Sequence, residues 1–187
     1  MSFKEIKPEE LQKNPFQMIG KEWLLVTAEK DGKANTMTAS WGGVGVMWGR
    51  NVAFIVIRPQ RYTKEFIDAS DKLSLSVLDE EYRKTLSYLG SVSGRDEDKI
   101  GKSGLTVAHT DDVPYFAEAN TVITGKKLYA QEYRPECFID SSLDENGILR
   151  KIIIPCTFWR LKKYWSVNKT FVQSCIIVHR KSDRFRL

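Results

Sequence analysis

Small hydroxyl side chains occupy every second position from 36 to 40 in the run N-T-M-T-A-S-W-G-G, residues 35–43. The hydroxyl residues are Thr36, Thr38 and Ser40, and the residues between them are Met37, Ala39 and Trp41. An alternation of this kind predicts a β-strand with two unlike faces. The Gly42-Gly43 pair frees the backbone where the run ends. Such a strand is suited to hold a flat polar ligand, although an ordinary half-buried strand has the same pattern.

A second polar group, R-P-Q-R-Y-T at residues 58–63, follows a strongly apolar run at residues 51–57. It brings Arg58 and Arg61 to the start of a short predicted helix, with the Thr63 hydroxyl at a capping position. Unpaired N–H groups and the helix dipole favour an anion there, and guanidinium groups suit phosphate oxygens. A solvated loop with a threonine cap has the same composition. Because the hydroxyl strand lies only one hairpin away, a ligand that carries a phosphate is the better interpretation.

The elements that position these residues are mainly strands. We predict strands at residues 21–28, 35–41, 51–57, 73–78, 119–129 and 135–140, helices at 63–70 and 80–90, and one helical turn near 96–102. Asp31-Gly32 predicts a tight hairpin turn, and residues 45–49 predict a second, glycine-punctuated bend. Short connections without long βαβ crossovers favour an antiparallel β-barrel with small peripheral helices, that is, a mainly β fold of the α+β class.

Composition predicts one soluble domain. The chain has 187 residues, of which 42% are hydrophobic and 28% are charged, as in ordinary globular proteins. No run is long and apolar enough for a membrane span, and the N-terminal residues do not resemble a signal peptide. The three cysteines show no metal-ligand spacing, so we expect a reduced, cytoplasmic protein without a metal site.

The net charge of +5 suggests a nucleic-acid binder, but its distribution argues against one. Residues 148–187 hold ten Lys or Arg and a single acid, Asp183, for a charge of +9. The first 147 residues therefore carry −4. Because the body of the protein is mildly acidic, we expect no nucleic-acid partner.

Taken in order, these motifs resemble the flavin reductase-like family, in its flavoredoxin-type branch. The motifs are N-P-F-Q-M-I-G-K-E-W at 14–23, N-T-M-T-A-S-W-G-G at 35–43, R-P-Q-R-Y-T at 58–63 and S-G-R-D-E-D-K at 93–99. The resemblance implies an antiparallel FMN-binding split β-barrel, a homodimer with flavin near the subunit interface, and non-covalent FMN. It extends over residues 3–146.

The same resemblance implies the positions of the FMN-binding residues. The isoalloxazine ring and ribityl chain would lie along Asn35, Thr36, Met37, Thr38, Ala39, Ser40 and Trp41. The phosphate would be reached by Arg58, Arg61, Tyr62 and Thr63. The loop at residues 94–96 would border the nicotinamide or a partner protein.

Function follows from the resemblance as an expectation. The chain would be an FMN-binding oxidoreductase, either a flavin reductase that uses NADH or NADPH or a flavoredoxin-like electron carrier with a redox partner protein. FMN carries the redox chemistry, so no catalytic side chain is assigned. We expect His109 to be solvated and Cys137 to be a strand residue without a redox role. The alternatives are a non-catalytic split-barrel binding module, with haem or no cofactor, and a nucleic-acid binder that uses the basic tail.

Residues 147–187 depart from the family pattern. Residues 148–182 contain no acid, whereas the family continues with a segment like W-Y-P-E-K-D-Y-H-T-L-Y-I as a closing strand. Adding one base after the Asn146 codon allows codons that encode N-W-Y-P-E-K-D-Y-H-T-L-Y-I and, further on, a stop. We therefore predict a domain at residues 1–146 and an out-of-frame basic tail at 147–187, with irregular structure and an open barrel edge. A genuine basic C-terminal arm is the alternative.

Overall fold

The computed structural model describes residues 3–140, 142–145 and 155–166. The strands are β1 (Lys4–Ile6), β2 (Leu24–Lys30), β3 (Lys33–Ala39), β4 (Gly42–Met47), β5 (Arg50–Val56), β6 (Lys72–Val77), β7 (Val107–Thr110), β8 (Val113–Phe116), β9 (Thr121–Glu132) and β10 (Pro155–Ser166). The α-helices are α1 (Thr63–Ala69), α2 (Arg83–Ser91), α3 (Lys99–Ser103) and α4 (Ser142–Glu145). None of the helices in the described ranges is long and apolar enough to cross a membrane.

The main sheet has the strand order β3-β2-β6-β9-β10-β5-β4, with β1 paired to β10, and β7 and β8 form a separate hairpin. Each recorded pairing is antiparallel. The fold is therefore mainly β with small helices, as the connections predict.

The two ends of this strand order meet at one short connection. β3 and β4 stand at opposite ends of the order, yet only Ser40 and Trp41 separate them in the chain. Three peptide steps span at most about 11 Å, whereas the edges of a flat sheet of seven strands would lie about 29 Å apart. The sheet must therefore curl until its ends approach each other at Ser40 and Trp41. Closure as an FMN-binding split β-barrel stays a prediction.

Strand β2 is buried on both faces and divides the core. Leu24, Val26 and Ala28 pack into one cluster, with Met37 of β3 among its members. Leu25 points the other way, into a second cluster that contains Leu86 and Leu89 of α2 and Phe116 of β8. Alternate side chains of an extended strand face opposite sides, so β2 joins the two halves of the core and fixes β3 beside α2.

The hairpin between β2 and β3 confirms the predicted turn. Asp31 and Gly32 both have positive φ, 53° and 72°, as a two-residue turn of this kind requires. The second bend differs from the prediction. β4 continues to Met47, and the reversal is made by Trp48 and Gly49 (φ 53° and 64°).

Two local predictions are wrong. Thr63 does not cap α1, because the preceding residue, Tyr62, is already helical at the N-terminal boundary and no side chain caps this end. The Thr63 hydroxyl instead accepts a hydrogen bond from Asn35. The run predicted as a strand at residues 135–140 begins with a 3₁₀ helix, Pro135–Cys137, since the fixed φ of proline suits the first position of a helix.

Two further segments differ in their type of helix or in their boundaries from the prediction. A π-helix, Gln17–Glu22, precedes β2, which therefore begins at Leu24. The predicted helix at residues 80–90 starts as a 3₁₀ turn, Glu80–Tyr82, before α2.

β10 corrects the expectation of an open barrel edge. It pairs with β9 along its full length and with β5 through Cys156–Arg160. Its sequence is rich in aromatic residues, which favour strands, and the unpaired backbone groups of β9 and β5 require a partner. Irregular structure is therefore the wrong expectation for residues 155–166. The shifted reading frame and the division at residue 146 stay predictions, and residues 146–154 and 167–187 lie outside the described ranges.

Candidate functional site

A cavity of about 310 Å³ opens where β3 ends and the two ends of the sheet meet. Its lining residues are Met37, Thr38, Ala39, Ser40, Trp41, Val56, Arg58, Arg61 and Gly90. The N–H of Val56 donates to the Trp41 carbonyl (3.2 Å), which ties the connection between β3 and β4 to the end of β5. The volume lies in the range of small-molecule sites.

The alternation of β3 divides its side chains between core and cavity rim. Met37 and Ala39 are 5% and 7% exposed and belong to the core. Thr38 is half-buried, and its Oγ1 donates to the Leu86 carbonyl of α2 (2.5 Å). Ser40 and Trp41 are exposed. The last part of the predicted hydroxyl strand therefore does line a cavity.

Asn35 and Thr36, at the other end of the motif, do not line the cavity. Thr36 is fully buried, and its hydroxyl is bonded to Thr27 Oγ1 (3.0 Å) and to the Val26 carbonyl (3.1 Å). Asn35 Nδ2 donates to Thr63 Oγ1 (3.1 Å). These two side chains join β3 to β2 and to α1, and their contact with FMN stays a prediction.

Arg58 and Arg61 form the cationic side of the cavity. Arg58 lies over the Trp41 ring, with its Cζ 5.5 Å from the ring centroid. Arg61 is half-buried, and its burial, together with the neighbouring charge of Arg58, lowers its pKa. The described lining residues include no acid. Two guanidinium groups without a carboxylate between them favour an anion in the cavity.

Sequence reasoning missed a third cation, Lys99. This residue is 3% exposed, and its Nζ donates to the carbonyls of Leu89 (3.0 Å) and Val92 (2.9 Å) at the C-terminal end of α2. Burial, and to a lesser degree the charge of Arg61, lowers the pKa of Lys99 from 10.5 to about 8. The S-G-R-D-E-D-K motif contains this lysine, but lysines are rarely buried, so the motif alone gave no reason to place it inside.

Tyr62 and Thr63 lie behind the cavity rather than in its lining. Tyr62 packs edge-on against Phe66, with ring centroids 5.0 Å apart. Arg95, from the loop expected to border a nicotinamide, packs over the Tyr62 ring with its Cζ 4.6 Å from the ring centroid. Contact of Tyr62 and Thr63 with a phosphate stays a prediction.

Sequence reasoning also missed Gly90, which lets α2 approach β3 closely. A Cβ at this position would lie 3.1 Å from Thr38 Cβ, a spacing that leaves no room for a larger side chain without a shift. The sequence predicts this glycine only as the last residue of the helix at residues 80–90. Its role depends on tertiary contact, which the local sequence does not contain.

Thr38→Val tests how much the Thr38 hydroxyl contributes to the stability of the fold. Since Thr38 Oγ1 is bonded to Leu86 of α2, we expect the variant to lose about 1 kcal/mol of unfolding free energy. Urea unfolding followed by tryptophan fluorescence measures this change, and an unchanged midpoint would show that the Thr38–Leu86 bond contributes nothing to stability.

The other candidate reactive groups lie away from the cavity. His109 stands on β7, half exposed, with Nε2 2.6 Å from Glu29 Oε2. Cys137 is exposed. The described residues hold no group of three or more His, Cys, Asp or Glu side chains suited to a metal ion.

Comparison with known proteins identifies the family to which this fold belongs. Residues 18–134 match the family model of the flavin reductase like domain. No curated protein matches the chain in sequence.

Several solved structures share the fold. An FMN-binding domain of a flavin reductases-like enzyme from Shewanella baltica OS155 has 15% identity and a TM-score of 0.65, covering 88% of this chain and 77% of that one. Flavoredoxin from Methanosarcina acetivorans has 19% identity and a TM-score of 0.63, covering 81% and 71%. An NADH:FAD oxidoreductase from Streptomyces globisporus C-1027 has 12% identity and a TM-score of 0.59, covering 78% and 75%.

The family match covers more than half of the chain, including both polar motifs and the cavity they form. This confirms the resemblance inferred from the motifs. The chain belongs to the flavin reductase like domain family.

Proposed function

We propose that this chain binds FMN non-covalently in the cavity at the end of β3 and works as a flavin-dependent oxidoreductase. The observation that carries the proposal is the convergence of Arg58 and Arg61 on a cavity whose described lining contains no acid. Flavin-related redox function is common to the family and to the neighbours named above.

The phosphate end of FMN fits the cationic side. Burial lowers the pKa of both Arg61 and Lys99, so their charged forms are held at a cost in the absence of an anion. A phosphate group carries close to two negative charges at neutral pH and accepts several strong hydrogen bonds. Bound against Arg58 and Arg61, it would offset the mutual repulsion of these two guanidinium groups.

The ring end of FMN fits the side formed by residues 37–41. There the chain offers the Ser40 hydroxyl, the backbone of the β3–β4 connection and the Trp41 ring, which is 38% exposed. These groups would bind the flat heterocycle and orient it across the curled edge of the sheet. Bound FMN would supply the capacity to accept a hydride and pass on electrons, and the chain's residues hold it in place.

We further propose NADH or NADPH as the electron donor, with a flavoredoxin-like carrier role as the alternative within the same function. The Streptomyces globisporus neighbour, described as an NADH:FAD oxidoreductase in complex with NAD and FAD fragments, supports a nicotinamide donor. A homodimer, a redox partner protein and a cytoplasmic location are proposed on family grounds. The exposed apolar side chains of Val46, Met47 and Trp48 at the β4–β5 turn support a protein contact.

The test is spectroscopic and kinetic. We expect the purified chain, after incubation with FMN and gel filtration, to retain a flavin absorbance spectrum and to oxidise NADH or NADPH. Continued oxidation with excess free FMN indicates a reductase, whereas reduction of the bound flavin alone indicates a carrier. Failure to retain flavin contradicts the proposal, and a haem spectrum favours the binding-module alternative.

A further inference from the structure

Arg95 connects the two segments that stand behind the cationic side of the cavity. It lies between α2 and α3, and its guanidinium packs over the ring of Tyr62 with Cζ 4.6 Å from the centroid. Its Nη1 donates to the Gln60 carbonyl (3.4 Å), and its Nη2 forms an ion pair with the Glu65 carboxylate. All three contacts fall within residues 60–65, the segment that contains Arg61.

The backbone at Gly94, next to Arg95, also packs closely against Asn35 and Tyr62. A Cβ on Gly94 would lie 2.5 Å from Asn35 Oδ1 and 3.3 Å from Tyr62 Cδ1. Asn35 in turn donates to Thr63 Oγ1 (3.1 Å). The Ser93 hydroxyl accepts from the Arg95 backbone N–H (3.2 Å), which fixes the direction in which the Arg95 side chain leaves the loop.

The loop that carries Arg95 is anchored at its other end as well. Lys99 Nζ binds the carbonyls of Leu89 and Val92, so residues 92–99 are attached to α2 through Lys99 and to residues 60–65 through Arg95. Arg61 is the neighbour in sequence of two residues that Arg95 contacts, Gln60 and Tyr62. Its backbone position is therefore set by these contacts.

We propose that Arg95 is a positioning residue: it holds residues 60–65 against residues 92–99 and thereby fixes Arg61 where the phosphate of FMN binds. The inference rests on the proposed function. Arg95 acts through Arg61, because it is absent from the cavity lining and both of its terminal nitrogens are directed at residues 60–65.

The charge of Arg95 could by itself attract a phosphate, so the test must separate charge from position. Arg95→Lys keeps the charge but loses the planar fork and the stacking on Tyr62. We expect Arg95→Lys and Arg95→Gln each to weaken FMN binding by about threefold to tenfold, the scale of a half-exposed ion pair combined with a cation–π contact. Riboflavin, which lacks the phosphate, should bind each variant within about twofold of the parent, since the ring side is untouched.

The FMN affinity of Glu65→Gln distinguishes a charge effect from a positioning effect, because the two predict changes in opposite directions. Removing a carboxylate near a cationic site would strengthen FMN binding if charge alone mattered. If Arg95 positions the segment, losing its partner weakens FMN binding instead. Lys102→Gln is the matched control, because it removes the ion pair with Glu97 on the same loop without touching residues 60–65, and we expect no change.

Fluorescence titrations with FMN and riboflavin, together with thermal melts of each variant, test the positioning role of Arg95. Parental FMN affinity in Arg95→Lys, tighter binding in Glu65→Gln, or equal losses for FMN and riboflavin in the Arg95 variants would each overturn the positioning role while leaving FMN binding intact. Absence of FMN binding in the parent chain would instead overturn the proposed function, and the positioning role with it.

Discussion

Arg61→Ala is expected to weaken FMN binding by about 1.5–3 kcal/mol, a loss of roughly tenfold to 150-fold, because it removes a charged hydrogen-bond donor from the phosphate. Arg61 is the half-buried member of the cationic side, and its lowered pKa reflects burial and the nearby Arg58 charge. Without a ligand, removing this charge relieves repulsion. We therefore expect the free protein to melt at the same temperature or slightly higher.

Arg50→Ala is the matched control for this prediction. Arg50 is exposed at the β4–β5 turn and does not line the cavity, so the net charge changes equally without loss of the site. Fluorescence titration with FMN and with riboflavin measures both variants. If Arg61→Ala binds FMN as well as Arg50→Ala does, the phosphate lies elsewhere.

We also expect FMN binding to depend on pH through the titration of Lys99. Its pKa is lowered from 10.5 to about 8 by burial and by Arg61. A bound phosphate is dianionic above pH 7 and favours the charged lysine. FMN binding would then raise the pKa of Lys99, so proton uptake accompanies binding above pH 8. We expect FMN affinity to fall between pH 7.5 and pH 9, as Lys99 loses its charge in the free protein.

The stability of the free protein should move in the opposite direction. Between about pH 8 and 10.5 the unfolded chain binds more protons than the folded chain, because Lys99 has the lower pKa when folded. The free energy of unfolding contributed by this group therefore rises with pH across that range. Lys99→Met should abolish both pH dependences. Retention of the FMN profile in Lys99→Met would assign the titration to another group.

Local patterns predicted those parts of the fold that depend on local chemistry. The period-two run of β3 and the Asp31-Gly32 turn carry their conformation in their own residues, and both formed, although β3 spans Lys33–Ala39 rather than residues 35–41. Thr63 failed as a cap because Asn35, 28 residues earlier, binds its hydroxyl. A distant partner of this kind does not appear in any local window.

The site was predictable in its chemistry and not in its arrangement. The motifs brought Arg58, Arg61 and the end of β3 to attention, and the structure places these residues around one cavity. Lys99 was not predicted as a site residue because its burial depends on contact with the end of α2. Gly90 was not predicted because its role is to allow α2 to approach Thr38 closely. The meeting of β3 and β4 depends on strand order, which only the complete sheet reveals.

β10 shows the limit of composition as a guide. The segment is basic and departs from the family pattern, which predicts an open edge. Its backbone nevertheless pairs with β9 and β5, because pairing depends less on side-chain identity than on unsatisfied N–H and C=O groups. Reading the nucleotides around the Asn146 codon tests the shifted frame directly.

The central claim is that the cavity binds FMN through its phosphate. Parallel fluorescence titrations of the purified chain with FMN and riboflavin test it most directly. We predict saturable binding of one FMN per chain, at least about tenfold tighter than riboflavin, as the loss of one phosphate contact with a charged donor implies. Equal affinity for FMN and riboflavin, or no saturable binding of FMN, would contradict the account.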